Sequence, residues 1–264
     1  MSQSDSFKNI FGVALGVCFV CSIFVATAAV YLKPRQDANR RLEQRRNVLI
    51  AGGLMQEKAD VEKVFSEKIK PVLVDLKTGE QLPEDKMTGE LAPDKFDVKK
   101  LSKDPKFNQN IPANRDKAGL KRIPTTMMLY LVKEGDNIQQ VIFPVWGNGL
   151  WSVMYGFIAL DRDLKTVKGF TFYEHGETPG LGGEVDNPRW KASWKGKIAF
   201  DETGTLKLRI LKGVAPAGAA SQIDGLSGAT LTTRGVDNMI AFWFGETGYY
   251  RPYLEKLRQE SSHE

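Results

Sequence analysis

The chain has 264 residues, 42% of them hydrophobic and 26% charged, with no low-complexity bias, which excludes wholesale disorder and a large multidomain machine. Its net charge of +5 comes from 37 basic residues interspersed with 32 acidic ones, and the basic clusters lack aromatic interleaving, so no nucleic-acid partner is expected. With two cysteines, two histidines and no Cys/His cluster at ligand spacing, neither a protein-built metal site nor a disulfide framework is expected.

A short tail, residues 1–9, precedes the uncharged run IFGVALGVCFVCSIFVATAAVYL from Ile10 to Leu32. About 20 apolar residues cross a bilayer core, whereas a cleaved signal has an apolar region of about 7–15, so residues 10–32 read as an uncleaved transmembrane helix in membrane lipid. Cys18 and Cys21 lie inside it among Phe, Val and Ile, as small hydrophobes and not a redox pair. Gly12 and Gly16 give a GxxxG spacing that admits a second helix. The span holds no ionisable Asp, Glu, Lys, Arg or His, so alone it offers no ion path. Lys33, Arg35, Arg40, Arg41, Arg45 and Arg46 follow the span and only Lys8 precedes it, a bias toward a cytoplasmic globular part that long domains override.

Residues 33–56 are expected to form a juxtamembrane helix or stalk ending near Gly52 and Gly53, and residues 57–264 a soluble domain. In KADVEKVFSEKIK, Val61, Val64, Phe65 and Ile69 recur at helical spacing, and PVLVDL with KTGE reads as a strand and a turn. Glu84 to Pro124, dominated by Lys, Asp, Asn and Pro, is expected as a surface excursion. TMMLYLVK and IQQVIFPV around EGDN predict one antiparallel hairpin, SVMYGFIALD and LKTVKGFTFYE a second, and IAFDETGTLKLRILKG a third. VDNMIAFWF has helical apolar spacing and stops at Gly245, and RPYLEKLR opens a last helix with Pro in its first turn. The class is α+β: one N-terminal transmembrane helix, then a mostly antiparallel sheet with flanking helices.

Three Gly-rich segments are candidates for chemistry: WGNGLW (146–151), HGETPGLGGE (175–184) and DGLSGATLTT (224–233). None is a P-loop or a dinucleotide fingerprint, and each alone is a tight turn. WGNGLW sets two tryptophans around a tip suited to covering a flat aromatic ligand, a pattern shared by hairpin turns beside a core Trp. In DGLSGATLTT small residues admit a ligand close to the backbone, and Thr230 to Thr233 stand just before the expected helix, whose free N–H groups stabilise a phosphate. Plain N-capping by Thr232 or Thr233 accounts for the same residues.

DGLSGAT, with Asp224, Ser227, Gly228, Ala229 and Thr230, resembles the flavinylation motif of membrane-linked FMN-binding domains, whose final Thr is esterified to the FMN phosphate. HGETPGLG resembles the ETPGLG segment of that domain, and WGNGLW stands in the expected order upstream. Over residues 125–258, together with the N-terminal span, the pattern is most similar to the C-subunit family of the Na⁺-translocating NADH:quinone oxidoreductases. The resemblance implies a covalent FMN on Thr230 and an electron-carrying subunit that is not catalytic alone. It implies other membrane subunits that move sodium, and a separate flavin transferase that uses FAD, since no nucleotide-binding motif here lets Thr230 modify itself. It implies a bacterial inner-membrane location with the globular part periplasmic, because that transferase acts outside the cytoplasm. The implied contacts are Thr232 and Thr233 at the phosphate end and Glu177 and Thr178 toward ring or ribityl groups, with Gly180 and Gly182 in the same turn. Trp146, Gly147, Leu150 and Leu181 would lie against the isoalloxazine, with Lys212 as a countercharge to phosphate or reduced flavin. Glu177 is equally an exposed turn carboxylate, and His175 is given no proton-transfer role. Two other readings stay open: the G subunit of a ferredoxin:NAD⁺ oxidoreductase, against which the long segment 35–124 speaks, and a non-redox membrane-anchored binding or sensory domain.

Overall fold

A computed structural model describes residues 3–56, 59–135 and 137–261, so Asp136 of the expected EGDN turn and His263 lie outside the described residues. The chain divides into two units, Met1–Glu43 and Gln44–Glu264. The first is the N-terminal part of helix α1 (Gln3–Ala51), which already includes residues 3–9 of the expected tail. At 1.5 Å per residue, Ile10–Leu32 extends about 34 Å, enough for a bilayer core. Its Ile10, Phe11, Val13, Phe19 and Phe24 are all exposed, as surface that lipid would cover.

In the second unit the last turns of α1 are core rather than stalk, with Val48, Leu49 and Ala51 fully buried. Gly53, at φ +66°, closes the helix: its N–H reaches Ile50 O at 3.0 Å and the Leu54 N–H reaches Leu49 O at 2.8 Å. Helix α2 (Val61–Lys68) is capped by the Asp60 carboxylate, which accepts from the Glu62 and Lys63 amides, and it buries Phe65. Ile69, expected on that helix, instead begins strand β1 (Ile69–Asp75). Helix α3 (Val98–Leu101) and strands β2 (Asn108–Asn110) and β3 (Arg122–Pro124) follow. They fall in the expected surface excursion, yet Phe96, Leu101, Ile111, Ala118 and Ile123 are buried, so its few apolar residues help close the core.

Strands β4 (Thr126–Glu134), β5 (Asn137–Asn148), β6 (Val153–Asp161) and β7 (Val167–Glu174) complete an antiparallel sheet in the order β1-β4-β5-β6-β7. The first two expected hairpins are β4–β5 and β6–β7. The third does not form. After the short helix α4 (Pro188–Ala192), strand β8 (Arg209–Ile210) pairs in parallel with β9 (Gln222–Ile223), leaving a single bridge between Phe200 and Leu206. The Asp201 carboxylate draws the Thr203 and Thr205 amides into a tight turn, and Arg209 is pulled away to Asp237.

Helices α5 (Thr230–Phe244) and α6 (Arg251–Ser261) end the described chain. Strand β5 is buried continuously from Gln140 to Gly147, as a strand covered on both faces must be. Phe143 meets the rings of Phe244, Tyr250 and Tyr253 at 5.0–6.5 Å between centroids. Trp243 Nε1–H donates to Trp146 O at 2.9 Å and the Tyr250 hydroxyl donates to Pro144 O at 2.6 Å, which fixes α5 and its C-terminal turn on β5.

Candidate functional site

The DGLSGATLTT segment turns directly into α5, and contacts from elsewhere in the chain set where the helix starts. It begins at Thr230, and its cap, Ala229, brings no side-chain acceptor. Thr232 and Thr233 therefore lie inside the first turn and are not the caps. Both are buried: Thr232 Oγ1 donates to Glu177 Oε2 at 2.7 Å, and Thr233 Oγ1 accepts the Leu226 N–H at 3.0 Å. The Thr230 side chain is exposed and makes no hydrogen bond to a described residue. The first-turn amides of a helix lack intrahelical acceptors and carry partial positive charge, so this hydroxyl stands at an electropositive end.

Beneath that end Glu177 organises the site. It is only 5% exposed. Its Oε1 accepts from the amides of Trp151 (2.9 Å) and Ser152 (3.2 Å), and its Oε2 from the Leu150 amide (3.2 Å) and the Thr232 hydroxyl. Burial on its own raises a carboxyl pKa; here the Thr232 hydroxyl and the three amides outweigh it and hold Glu177 below its ordinary value. The anion is thus committed to tying the β5–β6 turn to α5. Close approach makes this possible: a Cβ on Gly149 would stand 2.5 Å from Glu177 Oε1, one on Gly182 2.5 Å from Thr232 Oγ1, and one on Gly235 would overlap Asn148 O. His175 braces the segment that carries Glu177. Its Nδ1 accepts the Glu177 N–H at 3.2 Å, which leaves the proton on Nε2 facing Asp186 Oδ2 at 2.8 Å.

The loops that lead to α5, and its first turn, carry large apolar side chains that remain exposed. Leu150, Trp151, Leu181, Val214 and Leu231 are in this class, Trp151 at 70% and Val214 at 85%; among the described residues of the second unit only Ile50 joins them. Leu181 borders Gly228, whose φ of +71° suits glycine and whose Cβ position would be 3.1 Å from the Leu181 side chain. Trp151 is the second tryptophan of WGNGLW, whereas Val214 and Leu231 were not singled out by sequence reasoning; the signal was their apolar bulk within segments otherwise rich in Gly, Ala and Thr.

The other candidate residues divide by position. Ser227, Gly228 and Ala229 lead into Thr230, while Leu150, Leu181 and Gly182 come to the same helix end. The Thr178 carbonyl accepts the Leu181 and Gly183 amides at 3.1 and 2.9 Å, shaping a turn that contains Gly180 at φ +76°. Asp224 is an anchor: Oδ1 accepts the Ala215 amide at 2.7 Å and its carbonyl accepts Trp190 Nε1–H at 2.9 Å. Lys212 is exposed beside this segment, since Leu211 N–H bonds Ile223 O (3.0 Å) and Gly225 N–H bonds Gly213 O (2.8 Å). Gly147 faces Met239 of α5. Trp146 sits apart: 3% exposed, it packs 4.2 Å from the Trp243 ring and stacks on Tyr155. The exposed tryptophan of WGNGLW is Trp151.

An uncommitted hydroxyl at an electropositive helix end, in a region that carries exposed apolar groups, suits a ligand that joins an anion to a flat apolar body. Among the described residues no group of three or more His, Cys, Asp or Glu is placed to hold a metal ion. Residues 149–245, which contain Leu150, Glu177 and Thr230, match the family model of the FMN-binding domain. The chain is 46% identical over 257 residues to the C subunit of the Na(+)-translocating NADH-quinone reductase of Vibrio parahaemolyticus, with 97% of each chain covered. To the protein of the same name from Pseudomonas aeruginosa it is 45% identical over 265 residues, covering 98% of this chain and 99% of the relative. The crystal structure of Shewanella oneidensis NqrC superposes with a TM-score of 0.76 at 32% identity, covering 84% of this chain and 99% of that one.

Proposed function

This chain belongs to the C-subunit family of the Na⁺-translocating NADH-quinone reductases, an FMN-binding, electron-carrying subunit of a membrane complex, and on that premise we propose that its FMN is held as a phosphoester on Thr230. The observation that carries the assignment is the division of labour among three threonines. Thr232 and Thr233 are buried with their oxygens committed, and Thr230 alone is exposed and uncommitted at the helix start. Near full-length similarity to these relatives favours their family over the related ferredoxin:NAD⁺ oxidoreductase protein and over a sensory module.

Bound flavin supplies the one-electron exchange, and the residues of this chain hold and surround it. In the attachment step the Thr230 Oγ–P bond forms as the pyrophosphate bond of FAD breaks; AMP leaves and the hydroxyl proton passes to a base of a separate flavin transferase. The first-turn amides of α5 would hold the phosphate there. Leu150, Leu181 and Trp151 offer the apolar surface for the ring, and Lys212 a nearby positive charge. Glu177 acts from beneath, fixing the turn that presents Leu150 and Trp151. Ile10–Leu32 anchors the chain in the inner membrane among other subunits of the complex, with the globular unit in the periplasm where such a transferase acts.

Intact mass after co-expression with a flavin transferase, followed by peptide mapping of residues 224–234, tests the attachment. One FMN minus one water on Thr230, retained in Thr230→Ser and lost in Thr230→Ala, is the expected result. Covalent flavin surviving in Thr230→Ala overturns the assignment. Alkaline phosphatase fused to the C-terminus, active only outside the cytoplasm, tests the topology; an inactive fusion places the globular unit on the other side.

A further inference from the structure

We propose that Arg234 is a positioning residue for the phosphate carried on Thr230, gripping it from the next turn of α5; this rests on the ester being at Thr230. The two residues are four apart on the helix, about 40° around its axis, and i,i+4 neighbours have Cβ atoms about 5–6 Å apart. Long helical side chains lean toward the N-terminus, so Arg234 covers the surface over the turn that Thr230 opens. The helix cannot rotate it away. Thr232, Thr233, Gly235 and Val236 are buried on the opposite side, and Gly235 is seated against Asn148 O.

Arg234 is exposed and makes no hydrogen bond, ion pair or ring contact with a described residue. The acid nearest to it along the helix, Asp237, is committed elsewhere: Arg209 Nε and Nη2 donate to it at 2.9 and 2.7 Å, and the Ile210 amide donates to its Oδ1 at 3.0 Å. The first turn of α5 has no acidic residue. Lys212, beside the same segment, has the same sign of charge. A guanidinium close to a helix N-terminus is unfavourable on its own, because the helix end already carries partial positive charge. A phosphodiester between the two reverses the sign of that interaction, and the donor fork of Arg matches phosphate oxygens. Arg234 thus completes an anion site that the fold leaves without a counterion.

The test uses the full chain, extracted from membranes, with and without FMN loading, as wild type, Arg234→Gln and Arg234→Lys. Peptide mapping first establishes whether the wild-type ester is on Thr230. At low salt the rise in melting temperature on loading should be about 1–3 °C larger in wild type than in Arg234→Gln, with Arg234→Lys recovering part of it. The difference should vanish near 1 M salt, where screening acts within about 3 Å. The ³¹P resonance of the loaded protein should move in Arg234→Gln. Equal gains on loading and an unmoved ³¹P resonance, with the ester present, overturn the role of Arg234 alone. A wild-type ester absent from Thr230 overturns both readings. Failure of Arg234→Gln to load while Arg234→Lys loads supports the role.

Discussion

The two ends of α5 use one helix for opposite purposes. Toward its C-terminus Met239, Ile240, Phe242, Trp243 and Phe244 are all buried, and Trp243 is hydrogen-bonded to the backbone of β5. In its first turns Thr230, Leu231 and Arg234 face solvent. Between them, Gly235 lies against Asn148 O, and Thr232 reaches down to Glu177. Rigidity and display are thereby separated along the axis: the far end supplies the packing that lets the near end hold an exposed hydroxyl and bare apolar groups in fixed positions.

The contrast breaks most completely at Trp243. Trp243→Ala opens a cavity in the core and should cost about 3–5 kcal/mol, measured from the denaturant midpoint, with flavin loading falling in parallel. Loading at wild-type extent in that variant would show that the near end does not depend on the far one. Glu177→Ala should cost about 2–4 kcal/mol, since it strands the Leu150, Trp151 and Ser152 amides and the Thr232 hydroxyl. Its sign with pH is fixed by a folded pKa below the ordinary 4.5. Wild type should keep this stabilisation above about pH 4.5 and lose it as pH falls through the folded value, whereas Glu177→Gln should lack that component of the acid titration. Gly235→Ala places a methyl against Asn148 O and should cost about 1–3 kcal/mol while prising the β5–β6 turn from α5. Its readout is a changed fluorescence of the exposed Trp151. Thr230→Ala, at the display end, should change stability by less than about 0.5 kcal/mol while abolishing covalent flavin. A large loss of stability there would place Thr230 with the core.

The far end was legible from residues alone, and so were the strands beneath it. The apolar runs of β4 to β7, rich in β-branched and aromatic residues, and the apolar spacing of VDNMIAFWF ending at Gly245, declare themselves within a few residues. The near end was half legible. The residues of DGLSGAT pointed to the site, but Thr232 and Thr233 have the composition of caps, and only Glu177, far away in sequence, and the Leu226 amide draw them into the helix. Glu177 was undecided for the same reason: three of its four partners belong to a turn some 26 residues earlier. The segment from Ile198 looked like a hairpin because IAF and the alternating LKLRIL flank the turn DETGT, but the partner of β8, β9, is set by long-range pairing that no local period encodes. Between the two tryptophans of WGNGLW, composition offered no means of choosing; burial of Trp146 by Trp243 makes the choice.

The exposed side chains of Leu150, Trp151, Leu181, Val214 and Leu231 bear on how such a protein is made. Left uncovered, exposed apolar side chains of this size are open to self-association and to capture by chaperones. On the proposed attachment, a host that makes the chain faster than it attaches the flavin accumulates this uncovered form, already folded. On the same proposal, added cofactor and transferase should raise soluble yield in that host more than better folding conditions do.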